Sequence, residues 1–250
     1  MTPFHLNSKT ILVTGASSGI GKQIAISAAE MGATIILTGR NEKRLQENLS
    51  LLKGENHQFI KADILIEEDR NNLADKLPKL DGFVNCAGIV KPFPIKFITQ
   101  QKIDETLNIN YEAPLLLMAQ ILKQKRLNKN ASLVFISSTA GQNPHKGGVI
   151  YSSSKASIES LSKVLALENY HMGIRSNCIS PAMVKTEMYD EAEEGMSKEF
   201  MDKHIEGYPL GVGYPEDVAN AAIFLLSEAS RWITGTNMRL DGGYLLEAMK

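Results

Sequence analysis

Tyr151 and Lys155 stand four residues apart, a spacing that puts both side chains on one face of a helix. A free phenol, with a reference pKa of roughly 10, is a poor acid near neutrality. An ammonium beside it stabilises the phenolate, each unit of lowering being worth about 1.36 kcal/mol. Such a tyrosine can give a proton to a carbonyl oxygen, or take one from an alcohol. In isolation the pair reads equally well as an exposed amphipathic pair. Its surroundings argue for chemistry. Ser137 and Ser138 end an apolar strand, and ligands of parallel sheets bind beyond the strands' carboxyl ends. Either hydroxyl could hold a substrate oxygen beside Tyr151, or simply turn the chain.

A second constellation lies near the start of the chain. Thr14-Gly15-Ala16-Ser17-Ser18-Gly19-Ile20-Gly21 joins an apolar strand to a helix. Glycines there allow a tight turn, close approach of backbone to a pyrophosphate, and close helix–strand packing. The helix N-terminus offers free N–H groups and a favourable dipole to the anion. The strand–turn–helix context favours dinucleotide binding over an ordinary flexible loop. About 20 residues further on, an acidic residue would meet an adenosine ribose hydroxyl. Thr38-Gly39-Arg40 stands there instead. Arg40 offers a planar charged fork suited to a 2′-phosphate, which favours NADP(H) over NAD(H); a surface arginine opening the next helix is the alternative.

The elements that must position these residues alternate. Strands are expected at Lys9–Val13, Ala33–Thr38, His57–Lys61, Gly82–Asn85, Ser132–Ser137, Ile174–Ile179 and Thr236–Leu240. Helices are expected at Ile20–Met31, Glu42–Lys53, Glu67–Leu77, Gln100–Gln124, Ile150–His171 and Pro215–Ser227. Apolar strands separated by helices predict an α/β fold, a parallel sheet covered on both faces. Residues 1–250 read as one domain, with a substrate lid at about 182–209 that holds an acidic cluster, Glu191, Glu193 and Glu194.

Hydrophobic residues make up 43% and charged residues 22%, enough for a sizeable core. A net charge of −1 gives no field to draw nucleic acid or an anionic membrane. Two cysteines, Cys86 and Cys178, fit a reducing compartment better than a disulfide framework. With no secretory signal and no apolar run long enough to span a bilayer, a cytoplasmic protein is expected. The five histidines show no metal-ligand spacing, so no metal site is expected.

Over essentially its whole length the chain resembles the short-chain dehydrogenase/reductase family, in motif pattern nearest its 3-oxoacyl-[acyl-carrier-protein] reductase-like members. The matching pieces are Thr14-Gly15-x-x-x-Gly19-Ile20-Gly21, Asp63, Asn85-Cys86-Ala87-Gly88, Asn110, Ser138, Tyr151-x-x-x-Lys155, and Pro181 with Thr186. The resemblance implies a doubly wound Rossmann fold with a seven-stranded parallel sheet. It implies Tyr151 as acid/base, Ser138 as the residue orienting the carbonyl, and Lys155 as the group that binds the nicotinamide ribose and favours the phenolate. Asn110 would hold a relay water. Gly15, Ser17, Ser18, Gly19, Ile20, Gly21, Asp63, Ile64, Asn85, Ala87, Gly88, Pro181, Val184 and Thr186 would line the cofactor. Family spacing selects Ser138 over Ser137, and a homotetramer or homodimer is implied.

For substrate, the stretch between Ser138 and Tyr151 points to His145 as a polar contact or a solvent-facing loop residue. Ile89, Phe93, Met183, Met188 and Tyr189 are candidates for an apolar wall or for lid packing. The family usually has asparagine where Cys86 stands and glycine where Ala182 stands. The cysteine is expected to be tolerated packing. The alanine resists positive φ, so a different path into the lid is expected. Lys123, Lys125, Arg126 and Lys129 form a basic patch where related carrier-protein reductases dock their carrier. The second docking arginine is absent, His171-Met172 preceding Gly173-Ile174. A small carbonyl or alcohol therefore ranks above an acyl carrier protein. A non-catalytic NADP(H)-sensing module ranks lower because serine, tyrosine and lysine are all present. Dehydration or epimerisation on the same scaffold stays open.

Overall fold

Seven parallel strands form one sheet in the order β3-β2-β1-β4-β5-β6-β7 among the residues that the computed structural model describes, 2–187, 189 and 198–247. The strands are β1 (Thr10–Thr14), β2 (Thr34–Gly39), β3 (Gln58–Lys61), β4 (Leu80–Asn85), β5 (Leu127–Ile136), β6 (Arg175–Pro181) and β7 (Asn237–Leu240). The chain winds from β1 outward to β3, then returns to lay β4 on the other side of β1. The ends of β1 and β4 therefore diverge, and the crevice opened there is where such sheets take a ligand. This is the doubly wound architecture expected.

Both sheet faces are buried, because the strands are apolar at consecutive positions. Along β1, Ile11 and Val13 enter one core and Leu12 the other. The first core packs α1 (Gly19–Glu30) and α8 (Pro215–Leu226) on the sheet, through Ile24, Val218 and Leu225. The second packs α3 (Glu67–Lys76), α5 (Ala113–Lys123) and α6 (Val149–Asn169), through Leu73, Leu117 and Ile158. Phe83 and Phe135 meet edge to face in it, centroids 5.8 Å apart, a favoured aromatic geometry.

The helix expected over Gln100–Gln124 is broken into α4 (Gln100–Leu107), a π turn at Asn108–Glu112, and α5. Pro114 supplies the reason. It has no N–H to give the carbonyl four residues earlier, that of Asn110, and its ring crowds that carbonyl. Of the other helices, α2 (Glu42–Leu49) stops four residues short of Lys53, while β5 begins five residues before Ser132. In the lid region, α7 (Lys198–Glu206) is followed by Tyr208, which packs with Tyr189 and Val212. Tyr189 is buried in this small cluster, as lid packing would require. The expected acidic cluster and Met188 lie outside the described residues. The last described element is a short helix, α9 (Tyr244–Glu247). No helix of the described residues is long and apolar enough to cross a membrane.

Candidate active site

The glycine turn is built by contacts that exclude side chains. Gly15 has φ +64°, and a Cβ there would stand 2.8 Å from the Ala87 nitrogen. A Cβ on Gly21 would stand 2.4 Å from the Gly15 oxygen. The turn is thereby pressed against both α1 and the end of β4. Thr14 joins the two strand ends. Its Oγ1 accepts from the Cys86 and Ala87 N–H groups at 3.1 and 3.3 Å and lies 3.3 Å from Asn85 Oδ1. Asn48 of α2 holds the turn from behind, donating to the Ala16 oxygen at 2.9 Å. Ser18, the N-cap of α1, makes no side-chain cap bond, so the first N–H groups of α1 are free for an anion. A dinucleotide pyrophosphate fits this cradle. Thr186 faces it, its Cγ2 standing 3.5 Å from where a Gly19 Cβ would be.

At the other end of the crevice, Arg40 is 67% exposed and its Nη1 lies 4.0 Å from Asp63 Oδ2. The two residues expected at the adenosine end are thus neighbours, with the guanidinium open to solvent. Ile64 has a narrower part than expected, since its side chain lies in the core and its carbonyl accepts from Arg70 at 2.7 Å. Sequence reasoning missed Arg44. One turn along α2, it forms an ion pair of 2.8 Å with Glu187, beside Thr186. In the sequence it is one of several charged residues of the expected helix Glu42–Lys53.

Tyr151 and Lys155 lie on the first turns of α6. Lys155 is 7% exposed, donates to the Ile136 oxygen at 2.9 Å, and stands 5.7 Å from the Tyr151 ring centroid. Gly88 leaves space for it: a Cβ there would lie 3.6 Å from Lys155 Nζ and 3.0 Å from Asn110 Oδ1. Asn110, on the π turn, accepts from the Ile89 N–H at 2.8 Å. Its Nδ2 donates to the Ile89 oxygen and to Ser154 Oγ, both at 3.0 Å. Both amide hydrogens are spent, so a relay water would be held by its backbone or by the remaining lone pair of Oδ1. Ser154 Oγ in turn donates to the Tyr151 backbone carbonyl at 2.7 Å.

The two serines differ in what they hold. Ser137 is buried, its Oγ 3.1 Å from the Lys155 oxygen and 3.0 Å from Glu159 Oε1. Ser138 is half-buried and caps the turn Thr139–Gly141 by accepting from the Ala140 N–H at 3.2 Å. Its hydroxyl hydrogen stays available for a substrate oxygen.

Around the mouth, Met183 donates its N–H to Tyr208 Oη at 3.2 Å, and Val184 bridges to Gly213. Burial pushes the Tyr208 hydroxyl up to about 12, so it remains a phenol. Tyr208 stacks on Tyr244, centroids 4.5 Å apart. Ala182 is not among the residues with positive φ, and its N–H donates to the Leu240 oxygen at 2.8 Å. His145 is exposed, with Nδ1 3.1 Å from the Lys146 oxygen. It borders a groove of about 530 Å³ with Phe93, Ile95, Pro144 and Val149, which neither Ser138 nor Tyr151 lines. The solvent-facing alternative describes it better. In the basic patch, Arg126 is tied to the Asp75 oxygen at 2.8 Å. No group of three metal-ligating side chains occurs among the described residues.

The chain is similar to known reductases and dehydrogenases. The family model described as enoyl-(acyl carrier protein) reductase matches residues 15–245. The chain is 34% identical to a 3-oxoacyl-[acyl-carrier-protein] reductase of Rickettsia felis, covering 96% of this chain and 98% of that one. It is 35% identical to an L-xylulose reductase of Caenorhabditis elegans, covering 96% and 97%. A solved structure from Beutenbergia cavernae superposes with a TM-score of 0.89 at 28% identity, covering 98% of this chain and 100% of that chain. It is described as a putative NAD(P)-dependent gluconate 5-dehydrogenase with bound NADP.

Proposed function

The chain belongs to the short-chain dehydrogenase/reductase family, and from that premise we propose that it reduces a small ketone or aldehyde with NADPH, or runs the matching alcohol oxidation, with Tyr151 as general acid/base. It is an NAD(P)-dependent oxidoreductase acting on CH–OH and C=O groups. The observation that carries the reading is one juxtaposition. A half-buried phenol and a buried ammonium share a helix face, the ammonium bonded to Ile136 at the end of β5, two residues before a serine whose hydroxyl hydrogen is unspent.

The cofactor would be held by the Gly15–Gly21 turn and α1 at its phosphates, by Arg40 and Asp63 at its adenosine end, and by Lys155, Val184 and Thr186 at its nicotinamide end. When bound, it supplies hydride to the carbonyl carbon. Ser138 donates a hydrogen bond to the carbonyl oxygen and fixes its direction. Tyr151 gives that oxygen a proton, making the alcohol; Lys155 stabilises the phenolate left behind. In the reverse direction the phenolate takes the alcohol proton. Arg40 supports NADPH, since no carboxylate stands at its position to bind a ribose hydroxyl.

A second reading, a 3-oxoacyl-[acyl-carrier-protein] reductase, is favoured by the Rickettsia relatives. Against it, Arg126 is already bonded and His171-Met172 offers no second arginine. Two free thiols suit a cytoplasmic setting. The test is a panel of ketones, aldehydes and acyl thioesters followed by NADPH absorbance, repeated with NADH. Oxidation of NADPH by small carbonyls is expected. A preference for NADH would overturn the role of Arg40, and turnover confined to carrier-bound acyl groups would favour the second reading.

A further inference from the structure

Three segments around the active site end against one buried carboxyl group. Glu159 stands on α6 one turn beyond Lys155 and two beyond Tyr151, and is 7% exposed. Its Oε1 accepts from Ser137 Oγ at 3.0 Å and Ser180 Oγ at 3.3 Å, and its Oε2 from Gln142 Nε2 at 3.1 Å. Ser137 immediately precedes Ser138. Gln142 closes the short turn that Ser138 caps. Ser180 is the penultimate residue of β6, just before Pro181, Val184 and Thr186. Gly141 makes room for the group, since a Cβ there would lie 2.8 Å from Glu159 Oε1.

Among the described residues no cation pairs with Glu159. Burying a carboxyl group without a cation is costly, and a leucine would fill the same space without that cost. What the carboxyl group adds is a fixed point for several donors at once. Those donors flank Ser138 on both sides. Ser138 and Tyr151 must reach the same substrate oxygen, and a misplacement of about 1 Å at such a site can cost about 100-fold in rate.

We propose that Glu159 is a positioning residue, clamping Ser137 and Gln142 so that the Ser138 hydroxyl is held at working distance from the Tyr151 phenol. This rests on the roles given above to Ser138 and Tyr151. It makes Tyr151, Lys155 and Glu159 successive positions of one helix face, two for the chemistry and the third for its alignment.

The test is a double-mutant cycle with a carbonyl substrate found in the panel. Glu159→Leu and Glu159→Gln are each made alone and with Ser138→Ala, and kcat, KM and cofactor Kd are measured. Glu159→Leu is expected to lower kcat by about tenfold or more while cofactor Kd stays within about threefold. Glu159→Gln, which keeps an acceptor for the serines, is expected to recover most of that loss. With Ser138→Ala already present, the same Leu substitution is expected to cost less than about threefold, because the group it positions is gone. Equal losses in both backgrounds overturn the proposal, as does full activity of Glu159→Leu. Should that variant not fold, Ser137→Ala removes one donor instead, and its loss must likewise shrink with Ser138→Ala; an equal loss overturns the proposal. Tyr151→Phe runs alongside. If it is fully active, the mechanism itself fails; if it is inactive while Glu159→Leu is indifferent, only the role of Glu159 fails.

Discussion

Neighbouring residues with the same chemistry receive different work here. Ser137 and Ser138 are identical in type and follow β5 directly, where successive residues of extended chain point to opposite sides. Ser137 turns inward to Lys155 and Glu159, and Ser138 keeps a hydrogen for a ligand. That direction is invisible in residue types alone, and only the family spacing separated them beforehand. Glu159 was hidden for a similar reason: a lone glutamate on a helix reads as a solvated charge until its partners are seen. For Arg40 the proposed contact with a 2′-phosphate rests on a missing carboxylate and a present guanidinium. Arg40→Ala is expected to weaken NADPH relative to NADH by about tenfold or more, the scale of a lost charge-assisted hydrogen bond, measured as Kd for each cofactor. The two thiols give a check of another kind. Burial pushes Cys86 and Cys178 each up to about 12, so little thiolate forms at neutral pH. Neither is expected to react with iodoacetamide in the native protein at pH 8, while both react after unfolding, as mass spectrometry would show.

Elements were easier to read than their irregularities. Periodicity placed the strands and most helices because each buries an apolar stripe. It gave no hint of the π turn, since the apolar spacing continues across Asn110 while Pro114 breaks the hydrogen-bond ladder. The glycine turn is the least tolerant junction. Gly21→Ala would drive a methyl to 2.4 Å from the Gly15 oxygen. It is expected to cost about 1–3 kcal/mol of stability by urea unfolding and to abolish cofactor binding. A pH effect belongs at this scale too. Lys9 of the segment entering β1 bonds Glu228, after α8, at 2.9 Å, and that bond holds the Glu228 carboxyl below its ordinary value. A depressed carboxyl pKa stabilises the fold above the unfolded value, roughly 4.3, and the gain is lost as pH falls through the lower folded value. Lys9→Ala is therefore expected to cost about 0.5–1 kcal/mol at pH 7. The gap from wild type should close below pH 4 when unfolding is followed at both pH values.

At the scale of the whole molecule, the doubly wound sheet gathers residues from far apart in the chain at one crevice: the turn after β1, Asn85–Gly88 after β4, Ser138 after β5 and Thr186 after β6. Order along the chain and alternation of elements made that convergence legible. The stretch expected as a lid was readable only as an interruption, because packing there depends on contacts such as Tyr208 on Tyr244 that no periodicity encodes. Leu167 of α6 is 72% exposed, and Trp232 is 90% exposed. Such large apolar groups suit the expected homotetramer or homodimer. Light scattering is expected to give a multiple of 27.5 kDa, and Leu167→Glu to shift it downward.

The most direct test of the chemistry is turnover of Tyr151→Phe beside the wild type, with cofactor affinity measured on both by fluorescence. If Tyr151 supplies the proton, kcat falls by about 100- to 10,000-fold while cofactor Kd changes only a few-fold. Turnover at the wild-type rate would contradict that role.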